Sequence, residues 1–239
     1  MYTLPTITIN GVKSTTLAGL LVTELPPISK PLQRTLIDVI DGRDGDIITP
    51  LGYSAYDKTA KIALTKGYQI DDIIKFFDSE GLVVFSNEPD KVYNFTIYEQ
   101  IDFERLLRFR TAEVVFHVQP FKKLLDEPLS NIAVPATPAT IYIYNAGNIY
   151  SRPTISITGL GLVTLSVNNI QVLSMDLGET SREIIIDCEK MNAYSTDNTL
   201  LNRLVTGNYD NIKFNVGRNS ITVTGLVSRV KISNYTRWI

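Results

Sequence analysis

Cysteine is almost absent from the 239-residue chain: Cys188 stands alone, so no intramolecular disulfide can form. Folding in a reducing cytoplasm is the simplest reading. Histidine is equally scarce. With His117 the single imidazole and Cys188 the single thiol, a four-ligand structural zinc site is excluded. A hydrolytic triad built on histidine has one residue to start from. Charge of one sign is also lacking: 23 basic residues stand against 25 acidic ones, a net −2. So even a balance leaves no electrostatic footprint for nucleic acid or for an anionic membrane. Apolar runs are only a few residues long, far below the roughly 20 that a membrane-spanning helix needs. The opening Met1–Asn10 has no cationic region followed by an apolar stretch, so no secretory leader is expected. A soluble protein is the expectation. Hydrophobic residues make up 44% of the chain and charged residues 20%, which excludes wholesale disorder and supplies a real core.

What is present is mostly strand pattern. Thr6–Ile9, Lys61–Leu64, Ile155–Thr158 and Ile221–Thr224 alternate apolar with polar residues, which sends successive side chains to core and to water. Turn signals separate these runs: Asn10-Gly11, Asn145-Ala-Gly147, Asn168-Asn169, Gly207-Asn208 and Gly217-Arg-Asn219. One segment departs from the pattern. Between Tyr68 and Ser79, Ile70, Ile73, Ile74 and Phe77 fall at helical spacing. Asp71 and Asp72 favour its first turn and Gly81 its stop, which predicts one amphipathic helix. A second short helical stretch falls near Asn198–Val205. Strands are predicted over Leu82–Phe85, Lys91–Gln100 and Arg110–Pro120, the last ending at its proline.

Leu129–Thr140 carries Pro135 and Pro138, follows Pro128, and is otherwise rich in Ala and Thr. It reads as an exposed, irregular linker. A boundary near residue 134 follows, with residues 1–133 a mixed N-terminal domain and 134–239 an all-β C-terminal one. Short strands at regular spacing favour a two-sheet sandwich for the second.

Chemistry is hard to find in this pattern. His117 lies within the strand run Val114–Val118 with no nucleophile marked beside it, so a structural role is expected. Cys188 follows the apolar run Ile184–Ile186 and reads as a small buried hydrophobe. The acidic stretch Asp38–Asp46 invites a calcium loop. However, the alternate position after Asp41 is Arg43 and no glutamate closes the site, so a turn whose glycines adopt positive φ is expected. Gly159-Leu-Gly161 reads as a turn between two strands. Asn94-Phe-Thr96 and Asn234-Tyr-Thr236 match glycosylation spacing, which carries no weight without secretion. No catalytic residue, no cofactor-binding residue and no metal ligand is assigned, and no enzyme is expected.

Several patterns in a fixed order add a resemblance. Ile37-Asp-Val-Ile-Asp-Gly-Arg-Asp-Gly45, Tyr53, Lys61–Leu64, Arg108-Phe-Arg110 and His117-Val-Gln-Pro-Phe121 come first. Asn145-Ala-Gly147, Tyr150-Ser-Arg-Pro153, Ile184–Glu189, Gly207-Asn-Tyr209, Val216-Gly-Arg-Asn219 and the terminal Val230–Ile239 follow. Together the series resembles the siphophage distal tail proteins, the Dit family of phage tail components, over nearly the whole chain. Where that family usually has a Pro-Gly pattern before the late asparagine, this chain has Val216-Gly217.

The resemblance implies a mainly β protein: an N-terminal β-rich domain with one helix, a split barrel like that of tail-tube proteins, and a C-terminal galectin-like β-sandwich. It also implies a structural part of the virion, assembled in the host cytoplasm. Six copies would form a homo-hexameric ring between the tail-tube protein and the baseplate or tail tip. The first domain would close the ring and the second would offer attachment surfaces to tail-tip, tail-associated lysin and receptor-binding proteins. The rival reading is a carbohydrate-binding module involved in adsorption to the host surface. Sugar sites stack an aromatic ring on the pyranose among clustered polar groups. The single tryptophan, Trp238, is penultimate, and no His-Asn-Arg set of the galectin kind is visible.

Overall fold

The computed structural model describes residues 4–239; the first three residues of the Met1–Asn10 segment lie outside it. The protein is mainly β. It divides into two compact units, one running to Leu125 and the other spanning Asp126–Trp238.

The first unit contains β1 (Ile7–Ile9), β2 (Val12–Lys13), β3 (Leu20–Glu24), β4 (Gln33–Asp38), β5 (Ile47–Tyr53) and β6 (Tyr56–Leu64). Then come α1 (Ile70–Phe77), β7 (Glu80–Phe85), β8 (Lys91–Thr96), α2 (Phe103–Phe109) and β9 (Thr111–Leu124). Seven strands make one sheet in the order β2-β1-β7-β8-β9-β6-β3, while β4 and β5 pair only with each other. Alternation does the sorting: in β9, Ala112, Val114, Phe116 and Val118 are buried and every second residue between them faces outward. Phe116 sits at the centre of an aromatic cluster, with ring centroids 5.4 Å from Phe85 and 5.5 Å from Phe95.

The predicted helix forms as α1, with Asp71 and Asp72 in its first turn. Its buried side chains are Ile73, Phe76 and Phe77, the i, i+3, i+4 set. Ile74, expected on that face, is instead exposed. The second helix, α2, lies between the predicted strands. Asp102 caps it by accepting the Arg105 amide at 2.8 Å, and Arg110 ends it in the left-handed region at φ 62°. The strand ending predicted at Pro120 runs on to Leu124. Pairing with β6 stops at Val118, and the register with β8 shifts between Tyr93 and Phe95. Pro120 therefore sits in a bulge, where its missing N–H costs no ladder bond.

The second unit contains β10 (Ser130–Ala133), β11 (Ala139–Asn145), β12 (Thr154–Val167) and β13 (Ile170–Asp176). It is completed by β14 (Arg182–Asp187), β15 (Asn192–Tyr194), β16 (Val205–Gly207) and β17 (Gly217–Ser233). The long strands β12 and β17 run through both layers of a sandwich. Their outer portions, Thr164–Val167 and Ile221–Thr224, join β11, β13 and β16. Their other portions, Thr154–Gly159 and Val227–Ser233, join β10, β14 and β15. Between the layers lies a closed apolar core that includes Ile155, Ile157, Leu165, Ile186, Phe214, Val223 and Ile232.

Three expectations are corrected here. Ser130–Ala133 is no linker but a strand paired with Arg229–Ile232 of β17, and the units part at Leu125/Asp126 rather than at 133/134. Pro128 and Pro135 bracket that strand without interrupting it, and the Val134 amide adds a bond to the Ser228 carbonyl at 2.8 Å. Gly159-Leu-Gly161 is no turn between strands either. It lies inside β12 at the bend between layers, where a Cβ on Gly159 would stand 2.5 Å from the Leu226 carbonyl oxygen. The Asn198–Val205 helix reduces to a short 3-10 turn at Asn202–Leu204, because Asn198 is left-handed and the Leu201 amide is taken by the Ala193 carbonyl.

Candidate assembly surface

The Asp38–Asp46 stretch connects β4 to β5, and Gly42 and Gly45 both adopt φ +79° there. It is the tip of a hairpin that carries no core of its own. Thr35 pairs with Pro50, Leu36 with Thr49, Ile37 with Ile48 and Asp38 with Ile47. Because neighbours alternate sides, Leu36 projects from one face and the Ile37/Ile48 pair from the other. Both faces are open to solvent. Leu32, Leu36, Ile37, Val39, Ile40, Ile48 and Leu51 are exposed by 47% to 74%. None of them belongs to either buried cluster.

A two-stranded ribbon of this kind is at best marginally stable alone in water. Both of its outer edges also lack strand partners within the described residues. Exposed apolar side chains on such an element make it a candidate contact surface. Burying it fully would contribute about 1.5–3 kcal/mol per large aliphatic side chain.

The residues leading into the hairpin are tied down by hydrogen bonds. Leu25–Leu32 has no regular structure and contains Pro26, Pro27 and Pro31. Its carbonyls are nonetheless held one after another. Asn87 Nδ2 donates to the Pro26 carbonyl at 2.9 Å and Lys58 Nζ to that of Pro27 at 2.7 Å. The Tyr56 hydroxyl donates to the Ser29 carbonyl at 3.4 Å, and the Ser54 amide to that of Leu32 at 2.9 Å. Lys58 is buried with Lys122, and between them stands one carboxylate, Glu88, 2.6 Å from the Lys122 ammonium. The buried Tyr93 donates its hydroxyl to the same carboxylate at 2.5 Å. Burial lowers the Lys58 pKa to about 8, with Glu88 opposing the shift and Lys122 adding to it.

Of the residues singled out for chemistry, His117 belongs to the first unit and Cys188 to the second. His117 is directly across from Asp57 in the β6–β9 ladder, its Nδ1 2.7 Å from Asp57 Oδ1 and 3.4 Å from the Tyr98 hydroxyl. This is a half-exposed cross-strand pair. Cys188 is fully buried, and burial pushes its thiol well above the ordinary range, away from a reactive thiolate. Among the described residues no three His, Cys, Asp or Glu side chains are grouped so as to hold a metal ion. No helix among them is long and apolar enough to cross a membrane.

In the second unit the Asn145-Ala-Gly147 and Tyr150-Ser-Arg-Pro153 motifs meet the terminal segment. Asn145 is fully buried; its Nδ2 donates to the carbonyls of Ile149 at 2.9 Å and Phe214 at 3.2 Å, and its Oδ1 accepts the Gly147 amide at 2.9 Å. Gly147 is required because a Cβ there would stand 1.8 Å from the Arg237 carbonyl oxygen. The Ser151 hydroxyl donates to the Tyr235 carbonyl at 2.6 Å, and the Glu127 carboxylate accepts the amides of Tyr235 at 3.0 Å and Thr236 at 2.6 Å. The terminal segment is thus built into the sandwich. On the outer face of β11, Tyr142 and Tyr144 are exposed, and the Arg218 guanidinium stacks 3.8 Å from the Tyr142 ring centroid.

No protein-family model matches this sequence, and no curated protein matches it. Solved structures do match its fold. The Dit protein of phage SPP1, described as a paradigm of hub adsorption apparatus in phages infecting Gram-positive hosts, aligns with a TM-score of 0.69 at 15% identity. That alignment covers 99% of this chain and 100% of the SPP1 protein. The chain shares the fold of a phage distal tail protein. A chain of the phage P2 baseplate in its activated conformation with Ca aligns at a TM-score of 0.53 and 10% identity, over 97% of this chain and 98% of the other. Its counterpart with Sr gives 0.50 at 10% identity, over 96% and 97%. The likeness runs through both units, as the order of motifs in the sequence implies.

Proposed function

We propose that this chain is a structural distal tail protein of a siphophage-type tail, a component of the virion with no enzymatic activity. In this reading six copies close a ring that joins the tail tube to the baseplate or tail tip. The ring serves as a hub for tip, tail-associated lysin and receptor-binding proteins, and it assembles in the host cytoplasm. The observation that carries the reading is the β4–β5 hairpin, with exposed apolar side chains on both faces and no further strand partner among the described residues. A cyclic ring needs two different complementary patches on each subunit, and a projecting ribbon suits one half of such a head-to-tail contact. End-to-end likeness of fold to a phage hub protein supports the same reading.

The test is assembly of the purified chain alongside an Ile37→Lys variant. Wild type is expected to form six-membered rings in electron micrographs, and the variant to remain monomeric with an unchanged fold. Rings formed equally by both proteins would remove the hairpin from the interface. Sugar binding is the weaker reading. Tyr142 and Tyr144 do form an aromatic step beside hydroxyl-bearing Thr140 and Thr222, but Arg218 already covers the Tyr142 ring.

A further inference from the structure

Resting on the reading of the hairpin as the ring contact, we propose that Lys58 is its positioning residue. It is the buried pin of a clamp that fixes the strap Leu25–Leu32, and so sets the direction in which the hairpin leaves the sheet. Three features carry this. First, the strap cannot hold itself: proline at 26, 27 and 31 removes three backbone donors, and the segment forms no ladder. Second, Tyr56 and Lys58 stand two apart on β6, so their side chains share one face and meet the strap carbonyls of Ser29 and Pro27, while the Ser54 backbone amide just before β6 meets that of Leu32. Third, the Lys58 ammonium is not placed there by an ordinary ion pair.

Glu88 is already engaged at 2.6 Å by Lys122 and at 2.5 Å by Tyr93, so two buried ammonium groups share a single carboxylate. Lys58 instead lies among aromatic rings, 5.1 Å from the Tyr93 centroid, 5.7 Å from Tyr56 and 5.8 Å from Phe85, with its close hydrogen bond directed at Pro27. A second buried cation beside one carboxylate is unfavourable for the core alone. Its geometry makes sense as a tether, because a charged donor grips a carbonyl more strongly than a neutral one. The strap ends at Leu32 and β4 begins at Gln33, so slack in the clamp becomes swing in the hairpin.

Hydrogen exchange on the full chain separates a positioning role from a merely structural one. The Ser54 amide reports directly, since its acceptor is the strap carbonyl of Leu32. In Lys58→Met, an apolar replacement of similar length, the Ser54 and hairpin amides should exchange roughly tenfold faster while β1, β7, β8 and β9 keep their wild-type protection. The concentration needed for assembly should rise roughly tenfold as well. Unchanged Ser54 exchange, or faster exchange with assembly as in wild type, overturns the proposal. If Lys58→Met loosens the whole sheet, Tyr56→Phe decides. It keeps the ring and the Lys58 ammonium but removes the hydroxyl that meets the Ser29 carbonyl and Tyr93; faster Ser54 exchange supports the clamp whereas wild-type exchange overturns it. The hairpin reading is judged separately by Ile37→Lys: rings formed by that variant defeat the ring contact while leaving the exchange result on the clamp intact.

Discussion

Single residues in this chain act mostly by holding backbone in place. Asn145 is the clearest case, since its amide satisfies two carbonyls and one N–H in a site closed to water. Asn145→Ala should destabilise the second unit by about 2–4 kcal/mol, as several buried polar groups lose their partners at once. Chemical denaturation followed by tryptophan emission would measure it, and a loss below about 1 kcal/mol would contradict the assignment. Lys58 makes a prediction with a definite sign. Its folded pKa lies near 8, below the ordinary 10.5, so between those values the native state binds fewer protons than the unfolded chain. Stability of the first unit should therefore rise as pH increases from about 8 to about 10, and Lys58→Met should flatten that rise. Glu88, Lys122, Tyr56 and Tyr93 face Lys58; the two tyrosines have raised pKa values, so their opposing effect begins only above about 10. A wild-type profile flat across that interval would show that Lys58 is not buried as described.

At the scale of elements, the sequence is most readable where periodicity is strong. The alternation in β6, β9 and β17 and the helical spacing of α1 appear directly in the residues. Asn10-Gly11 and Asn168-Asn169 turn at positive φ, as two-residue hairpins require. Less readable is anything decided by neighbours distant in sequence. The Ser130–Ala133 strand exists because β17 offers it an edge, which Pro128 and Pro135 conceal. The α2 helix buries only Leu106, so its apolar stripe is faint, although Asp102 followed by Glu104 marks its start. The hairpin shows the same limit from the other side. Its glycine-bearing tip is legible as a turn, but its two strands are not, and only the fold reveals that Leu36, Ile37, Val39 and Ile48 have no core to enter. Trypsin provides a check at this scale. Arg43 at the exposed tip should be cut readily in dilute protein and protected in the assembled form. Equal cleavage of both would place the hairpin outside any contact.

At the scale of the whole molecule, the proposed role is that of a scaffold whose fold needs no bound metal. Thermal unfolding with and without a chelator should superimpose, because a metal bound to the native state alone would raise its stability. A loss of several degrees on chelation would reveal a site at the Asp38–Asp46 tip. Static light scattering of the purified chain over a rising concentration series tests closed assembly. Growth to a plateau at about 160 kDa, six copies of the 26.7-kDa chain, with no larger species is expected, since a closed ring leaves no open end. A mass that stays at 26.7 kDa throughout, or one that climbs without a plateau, would contradict it.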